Sequence, residues 1–151
     1  MIELRFAEEK DAKDIFEWRN DKYSRKLSHN INLISWENHL KWFSSTLKDK
    51  KICMFLCLDK HDKSKIGIVR FDVNETSAKV SINLSPLKKG FGYGGPSLQN
   101  SIRKFYEHHK SILSIKAEIK IDNSASIKIF ERSGFILEKE SNNIMYYELS
   151  L

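Results

Sequence analysis

With 151 residues, 40% of them apolar and 30% charged, the chain has enough residues for one domain with a real core, and we expect a single domain over residues 1–151. No apolar run approaches the length of a membrane span, which argues against a membrane protein. The 26 basic and 20 acidic residues give a net charge of +6, which favours an anionic partner.

Localisation is predicted from the N-terminus and the cysteines. Residues 1–5 do not resemble a signal peptide. Cys53 and Cys57 share one predicted strand, where a spacing of four puts both side chains on the same face but far apart. A disulfide or metal pair is therefore not expected, and we predict buried free thiols in a cytoplasmic protein.

Periodic apolar patterns predict the secondary structure in chain order. The predicted strands lie at residues 2–6, 52–58, 66–73, 78–84, 112–119, 135–137 and 144–151. The predicted helices carry the apolar sets Ala12, Ile15 and Phe16; Trp36, Leu40, Phe43 and Leu47; Leu98, Ile102, Phe105 and Tyr106; and Ile127, Ile129 and Phe130. We expect Ser35 to cap the second helix and Gly134 to end the last one. The order predicts an α/β domain with a mixed, mostly antiparallel sheet and helices on both faces.

A glycine-rich loop at residues 88–95 joins the strand at 78–84 to a helix with Pro96 in its first turn. Its four glycines let successive backbone N–H groups converge at a helix N-terminus, which is typical of a phosphate site, and Lys88 and Lys89 lie beside it. A plain turn with two solvated lysines is an equal alternative. A Walker loop is excluded because no Gly-Lys-Ser/Thr ends the segment, and a dinucleotide fingerprint is disfavoured by its place past mid-chain.

The order strand, glycine loop, helix, strand, Asn, short helix, Gly-Phe and hairpin resembles the GNAT family of acyl-CoA-dependent N-acetyltransferases. Residues 89–94 are similar to the family's Arg/Gln-x-x-Gly-x-Gly/Ala loop, with Lys89 in the first place. Residues 123–135, from Asn123 to Gly134-Phe135, resemble its Asn-x-x-Ser/Ala helix. The resemblance implies the GNAT fold, with about seven strands, about four helices and a splay between strands 4 and 5.

The N-terminal part is similar to one branch of that family. Trp18-Arg19-Asn20, followed by His39 and Trp42, resembles sugar-nucleotide N-acetyltransferases of the nonulosonic (pseudaminic) acid pathway and also ribosomal-protein N-terminal acetyltransferases. In the former the acceptor is a 4-amino sugar on UDP. The implied acceptor contacts are Arg19, Asn20 and His39; the alternatives are a helix-terminal salt bridge for Arg19 and a solvated His39, opposite the apolar stripe of its helix.

The resemblance also implies acetyl-CoA as co-substrate and a set of contacts to it. The N–H groups of residues 90–95 would hold the pyrophosphate, Lys89 would neutralise it, and backbone groups near Ile82 and Leu84 would pair with the pantetheine arm. Asn123 would bind the pantetheine, or it is a plain helix N-cap. The cofactor residues are Ile82, Leu84, Lys89, Gly90, Phe91, Gly92, Tyr93, Gly94, Gly95, Asn123, Ser126 and Phe130.

Attack of a neutral amine on a thioester requires a group that takes a proton, and the departing thiolate needs one. Candidate bases are Glu118, Ser81, Asn83 and His39; Ser81 and Asn83 would act by orienting a water, and the alternative for Glu118 is a solvent-facing charge. Phe130 occupies the place where many family members have a tyrosine acid. Tyr146 or Tyr147 on the last strand would then be the acid, although packing is the commoner role of such tyrosines.

The sequence thus predicts transfer of acetyl to a primary amine by direct attack in a ternary complex, with a UDP-linked amino sugar as acceptor. Alternatives are a protein N-terminal acetyltransferase, a small basic nucleic-acid-binding domain and an acyl-CoA binder without catalysis. We expect no metal, no nucleic-acid partner and no membrane partner. A homodimer formed through an exposed final strand is a further expectation.

Overall fold

The computed structural model describes residues 1–151 and contains one seven-stranded sheet flanked by five α-helices. The strands are β1 (Ile2–Phe6), β2 (Ile52–Asp59), β3 (Lys65–Asn74), β4 (Ser77–Leu84), β5 (Ser114–Lys120), β6 (Ile136–Ser141) and β7 (Ile144–Ser150). The helices are α1 (Ala12–Asn20), α2 (Lys22–Leu27), α3 (Trp36–Lys48), α4 (Gly94–His108) and α5 (Ser124–Arg132). The predicted α/β class and mixed sheet are confirmed. None of the helices is both long enough and apolar enough to cross a membrane.

The sheet opens at its centre. The strand order is β1-β2-β3-β4-β5-β7-β6, and the β4–β5 pair is the parallel one. Only three residue pairs join β4 to β5, ending at Lys79 and Lys116. Beyond them β4 continues to pair with β3, and β5 continues to pair with β7. The predicted splay between strands 4 and 5 is therefore confirmed, and it leaves a cleft between residues 80–84 and residues 117–120.

Each face of the sheet has its own apolar core because β2 is buried on both sides. Its Cys53, Phe55 and Cys57 pack in the core beneath α4 and α5, which we name the α4–α5 face. Alternate residues of β2 pack against α1 and α3 on the opposite side, the α1–α3 face. Both cysteines are buried free thiols, and burial raises the pKa of each to about 11. Neither thiol is a reactive nucleophile at neutral pH.

The ends of several elements follow local chemistry. The Ser35 hydroxyl accepts the N–H of Asn38 at 3.2 Å and starts α3, as expected. Gly134 follows the end of α5 with a φ of +96°, a conformation that favours glycine. Asn142 and Asn143, with φ of 53° and 64°, make the two-residue turn between β6 and β7.

Helix α3 buries only part of the apolar stripe that its sequence indicates, together with one polar residue beside it. Trp36 and Leu40, placed on the expected apolar stripe, are 43% and 38% exposed. Phe43, on the same stripe, is fully buried as expected, and His39 is fully buried as well because α1 as well as the sheet packs against α3. The stripe was predicted from apolarity alone, which cannot anticipate a polar residue satisfied by a neighbouring helix.

Two further differences concern α2 and the final strand. Helix α2 lies between the first two predicted helices, in a segment without a predicted element, and it buries no residue; the Asp21 carboxylate caps it by accepting the Ser24 N–H at 3.0 Å. A helix without an apolar stripe gives no periodic signal. The final strand β7 lies between β5 and β6. The exposed edge belongs to β6, so the predicted pairing of the last strand with a second subunit is wrong in its placement.

Candidate active site

The glycine loop presents free N–H groups at the start of α4. Gly90 and Gly92 have φ of 82° and 81°, and a Cβ at either would meet no atom within 4 Å, so the loop surface is open. The N–H groups of residues 90–95 donate to no protein acceptor. Because unpaired N–H groups at a helix N-terminus attract negative charge, the loop can bind an anion.

Contacts at both ends of the loop hold its shape. The Tyr93 hydroxyl donates to Oδ2 of Asp59 at 2.8 Å, which ties the loop to the end of β2. The N–H of His61 and the Tyr93 hydroxyl together lower the pKa of the Asp59 carboxyl. At Gly94 an added Cβ would collide with Ile129, so this glycine permits a close approach between α4 and α5.

Lys89 is directed toward α2. Its Nζ donates to the Ser24 hydroxyl at 2.8 Å and lies 4.0 Å from Oδ2 of Asp21. This differs from the expected role as a free counter-charge to the loop. One of the three donors of the ammonium is therefore used by α2. The Nζ of Lys88 lies 5.5 Å from the ring centre of Tyr93, a residue of the loop.

Behind the loop, the cleft has a free backbone edge. Ile82 and Leu84 lie in the part of β4 that pairs with β3 and no longer with β5. Their side chains pack against the α4–α5 core. In an antiparallel ladder, alternate N–H and C=O groups point away from the partner strand. Such groups of β4 are therefore available to an extended arm lying in the cleft.

Asn123 and Ser126 lie at the start of α5. The Asn123 side-chain oxygen accepts the Ser126 N–H at 3.2 Å, so the N-cap alternative holds, while its Nδ2 donates to no protein atom. Phe130 differs from expectation as a cofactor contact. It is 2% exposed and packs edge-on against Phe135 at 5.0 Å. The ring of Phe130, which stands where many family members have a tyrosine, fills the core. Its burial leaves almost no surface for a ligand.

Four of the proposed proton-transfer residues share the α1–α3 face. Ser81 and Asn83 alternate with the buried residues of β4, and Glu118 alternates with those of β5. Ser81 and Glu118 each lie two residues past the last β4–β5 pair, on opposite sides of the cleft. Tyr146 pairs directly with Glu118 across β5 and β7. The Lys79 Nζ donates to Glu118 at 3.4 Å, and the Glu118 side chain is 32% exposed.

Tyr147 is separated from these groups. It pairs with Ala117, lies in the α4–α5 core and is 1% exposed. Its hydroxyl donates to Glu131 at 2.9 Å. Burial and then the Glu131 carboxylate raise the pKa of Tyr147 to about 12. The structure corrects the prediction for this residue, since Tyr147 is a packing tyrosine and not the acid.

His39 is also corrected, both as a solvated side chain and as an acceptor contact. Its ring is fully buried, with Nε2 2.7 Å from the Ala12 carbonyl and Nδ1 3.0 Å from a terminal nitrogen of Arg19. Because a carbonyl only accepts, Nε2 carries the hydrogen and Nδ1 accepts from Arg19. Burial, followed by the charge of Arg19, lowers the pKa of His39. The residue is a neutral support for Arg19.

Asn20 has a structural role in place of an acceptor contact. Its Nδ2 donates to the Ile34 carbonyl at 2.7 Å, and its Oδ1 accepts the Ile34 N–H at 2.8 Å. Both polar atoms are thus used to clamp the chain that leads into α3. Arg19, by contrast, has no carboxylate within salt-bridge distance, and its guanidinium lies 3.8 Å over the Trp42 ring. This half-buried cation remains available on the α1–α3 face.

Arg70 is a charged residue of this site that the sequence reasoning missed. It lies on β3, directly opposite Ser81 on β4, and its guanidinium is 5.5 Å from the Trp42 ring centre. Its signal in the sequence is a charged residue in the middle of an otherwise buried strand. Such a position is costly for arginine unless the side chain has a partner.

Comparisons with known proteins agree with this architecture. The Acetyltransferase (GNAT) domain family matches residues 2–136. Acetyltransferase PseH of Campylobacter jejuni serotype O:2 is 28% identical over 153 residues, covering 97% of this chain and 92% of that protein. PseH of C. jejuni serotype O:23/36 is 24% identical over 155 residues, covering 100% and 94%.

Solved structures show the same fold. Spermidine N-acetyltransferase from Vibrio cholerae, in complex with CoA and spermine, superposes with a TM-score of 0.88 at 16% identity and covers 99% of this chain and 95% of that one. A domain from Methanocaldococcus jannaschii has a TM-score of 0.86 at 22% identity, covering 100% and 99%. At such identities the likeness concerns the fold. With the family match over most of its length, the chain belongs to the acetyltransferase (GNAT) domain family, and it is an acetyl-CoA-dependent N-acetyltransferase.

Proposed function

We propose that this enzyme transfers acetyl from acetyl-CoA to the primary amine of a UDP-linked amino sugar, by direct attack in a ternary complex. The observation that carries the choice of acceptor is Arg19, a half-buried guanidinium without a carboxylate partner on the α1–α3 face. A buried cation of this kind favours an anionic ligand. The similarity to PseH along the whole chain supports the same choice.

On the donor side, the pyrophosphate of acetyl-CoA would bind the free N–H groups of residues 90–95. The pantetheine arm would pair with the free edge of β4 near Ile82 and Leu84 and receive a hydrogen bond from Nδ2 of Asn123. The thioester would then lie between β4 and β5. A β4 N–H directed at its carbonyl oxygen would stabilise the developing oxyanion by about 3 kcal/mol.

In the chemical step, the neutral amine attacks the thioester carbon, the N–C bond forms and the C–S bond breaks. We propose that Glu118 takes the amine proton, directly or through a water held by Ser81 and Asn83. Tyr146 would give a proton to the departing thiolate. These four residues lie on one face of the sheet. Ser81 and Asn83 lie on the β4 side of the cleft, and Glu118 and Tyr146 lie on the β5 side, which supports their joint assignment.

The charges of the acceptor side argue against a polyamine. Arg19 and Arg70 both lie beside Trp42, and like charges repel a substrate such as spermidine. The spermidine acetyltransferases share the fold at low identity, so their substrate does not transfer. A nucleotide sugar brings the opposite charge in compact form.

The test is release of free thiol from acetyl-CoA with three separate acceptors at equal concentration: a UDP-linked 4-amino sugar, spermidine, and a peptide with a free N-terminus. We expect turnover with the nucleotide sugar, at a kcat/KM at least about 100-fold above the other two. Hydrolysis without acceptor gives the background. Turnover only with spermidine, or only with the peptide, would contradict the proposal.

A further inference from the structure

Two arginines converge on one aromatic ring beside the cleft. The guanidinium carbon of Arg19, on α1, lies 3.8 Å from the ring centre of Trp42, and that of Arg70, on β3, lies 5.5 Å from it. Arg19 is held from behind by its hydrogen bond to the buried ring of His39. Helix α1 and strand β3 therefore each place one positive charge beside the Trp42 ring of α3.

These charges are only partly compensated. Nε of Arg70 donates to Asp72 at 2.7 Å, while its two terminal nitrogens donate to no protein atom. Among the donors of Arg19, only the terminal nitrogen that contacts His39 has a protein partner. Burial, followed by the charge of Arg70, lowers the pKa of Arg19 to about 10. The two guanidiniums destabilise each other, which an anion between them would relieve.

The pair lies next to the reacting groups. Arg70 is the direct cross-strand neighbour of Ser81, so its side chain projects from the same face of the sheet as Ser81 and Asn83. An acceptor that contacts this pair would have its other end within reach of the β4–β5 cleft. The distance along the face is about one strand spacing, roughly 5 Å.

The available donors fit phosphate oxygens. Guanidinium groups present parallel N–H donors that match phosphate in a bidentate way, and both retain free donors here. The Trp42 ring lies within cation–π distance of both guanidinium groups. We propose that Arg70 and Arg19 together form a two-guanidinium site for the phosphate groups of the acceptor, with Arg70 selecting phosphorylated over cationic amines. The assignment rests on the proposed function for the nature of the acceptor, while the anion site itself is tested separately.

Binding of UDP, in the absence of any amine, is the direct test. The protein is first saturated with CoA so that the glycine loop is occupied, and UDP binding is then followed by calorimetry and by tryptophan fluorescence. We expect Arg70→Gln to weaken UDP binding at least about tenfold, and Arg70→Lys to restore part of it. Arg103→Gln removes the same charge from the exposed side of α4 and should bind UDP like the wild type. Melting temperatures of all variants verify that they are folded.

The outcomes separate this inference from the function. Equal UDP affinity in wild type and Arg70→Gln, or no UDP binding by the CoA-saturated wild type, overturns the two-guanidinium site. UDP binding that depends on Arg70, without transfer to any UDP-linked amine, supports the site and contradicts the proposed function. With transfer, Arg70→Gln should raise the KM for the nucleotide sugar about tenfold and leave the KM for acetyl-CoA unchanged.

Discussion

Arg19 and His39 are joined by a hydrogen bond of 3.0 Å that determines the protonation state of the imidazole. Because Nε2 donates to the Ala12 carbonyl, Nδ1 has to accept from the guanidinium and the ring has to stay neutral. In a protonated ring the Nδ1–H of His39 would face an N–H of Arg19, and the imidazolium charge would face the guanidinium charge. Protonation of the buried histidine would therefore break its contact with Arg19.

The first prediction concerns stability against pH. The folded protein lowers the pKa of His39, so between that value and the unfolded value near 6.5 the unfolded chain binds more protons. The free energy of unfolding should therefore fall as the pH drops through this range. His39→Phe keeps the stacked ring but should show a flatter profile between pH 5 and pH 8 in urea unfolding. His29→Phe, at an exposed position, is the control, and parallel profiles for His39→Phe and wild type would refute the assignment.

A second prediction tests the glycine loop. Gly92 has a φ of 81°, which costs a non-glycine residue roughly 1–2 kcal/mol. We expect Gly92→Ala to weaken CoA binding about tenfold by calorimetry because the N–H groups lose their arrangement. Gly95→Ala is the matched control: its φ is not positive, and its Cβ would lie 3.8 Å from the nearest atom, the side-chain nitrogen of Gln99. Equal losses in both variants would mean that the loop conformation does not matter.

Glu118 is tested as the base. Glu118→Gln keeps the size of the side chain and removes the proton acceptor, so kcat should fall about 100-fold while the KM for acetyl-CoA stays near the wild-type value. The exposed Glu138, on β6, provides the same substitution outside the cleft and should retain full activity. If Glu118→Gln turns over at the wild-type rate with the wild-type pH profile, Glu118 is not the base.

The two neighbouring tyrosines predict opposite phenotypes. Tyr146→Phe should lower kcat about tenfold or more and leave the melting temperature unchanged, since its hydroxyl has no protein partner. Tyr147→Phe loses the partly buried hydrogen bond to Glu131 and should cost about 1 kcal/mol of stability without loss of rate. Steady-state kinetics and thermal unfolding on both variants decide the question. The reverse pattern would return the acid role to Tyr147.

Asp11 is predicted to be the main ionic contribution to stability. Its carboxylate is fully buried and accepts from Arg5 at 2.8 Å, from Lys65 at 3.0 Å and from the Glu8 N–H at 2.8 Å. Burial alone would raise the pKa of Asp11, but these donors lower it from 3.8 to about 2. The stabilisation, about 2 kcal/mol, is present above pH 4 and should disappear as the pH falls through 2.

Asp11→Asn checks this contribution. Removing one member of a buried ion network leaves Arg5 and Lys65 without their partner, so a loss of about 3 kcal/mol is expected at pH 7. Asp14→Asn, at a half-exposed carboxylate bonded to the same lysine, should lose at most about 1 kcal/mol. Equal effects of the two substitutions in urea unfolding at pH 7 would contradict a special role for Asp11.

The parts of the fold that local periodicity controls could be predicted. The apolar residues 52–58 predicted the strand β2, and Ser35 marked the start of α3, because each signal depends on neighbours in the sequence. Helix α2 could not be predicted, since it buries no side chain and depends on the Asp21 cap and the contact with Lys89.

The environment of single side chains was harder to predict than the elements that carry them. His39 has the sequence context of a surface residue, and its burial depends on a carbonyl of α1 far away in the chain. Tyr146 and Tyr147 are adjacent, and only the register of β5 with β7 shows which one shares the face of Glu118. The place of Arg70 in the site depends on its proximity to Arg19 and Trp42, which are distant in sequence.

Lys89 links the glycine loop to α2. Its ammonium ion donates to the Ser24 hydroxyl on α2, although its own backbone begins the loop. Any anion that draws Lys89 toward the glycines releases one restraint on α2, and a ligand that fixes α2 changes the charge available to the loop. Thermodynamic reciprocity then requires that an anion at the loop and a ligand of α2 alter each other's affinity by the same factor. A single flexible side chain is enough to make the two binding equilibria interdependent.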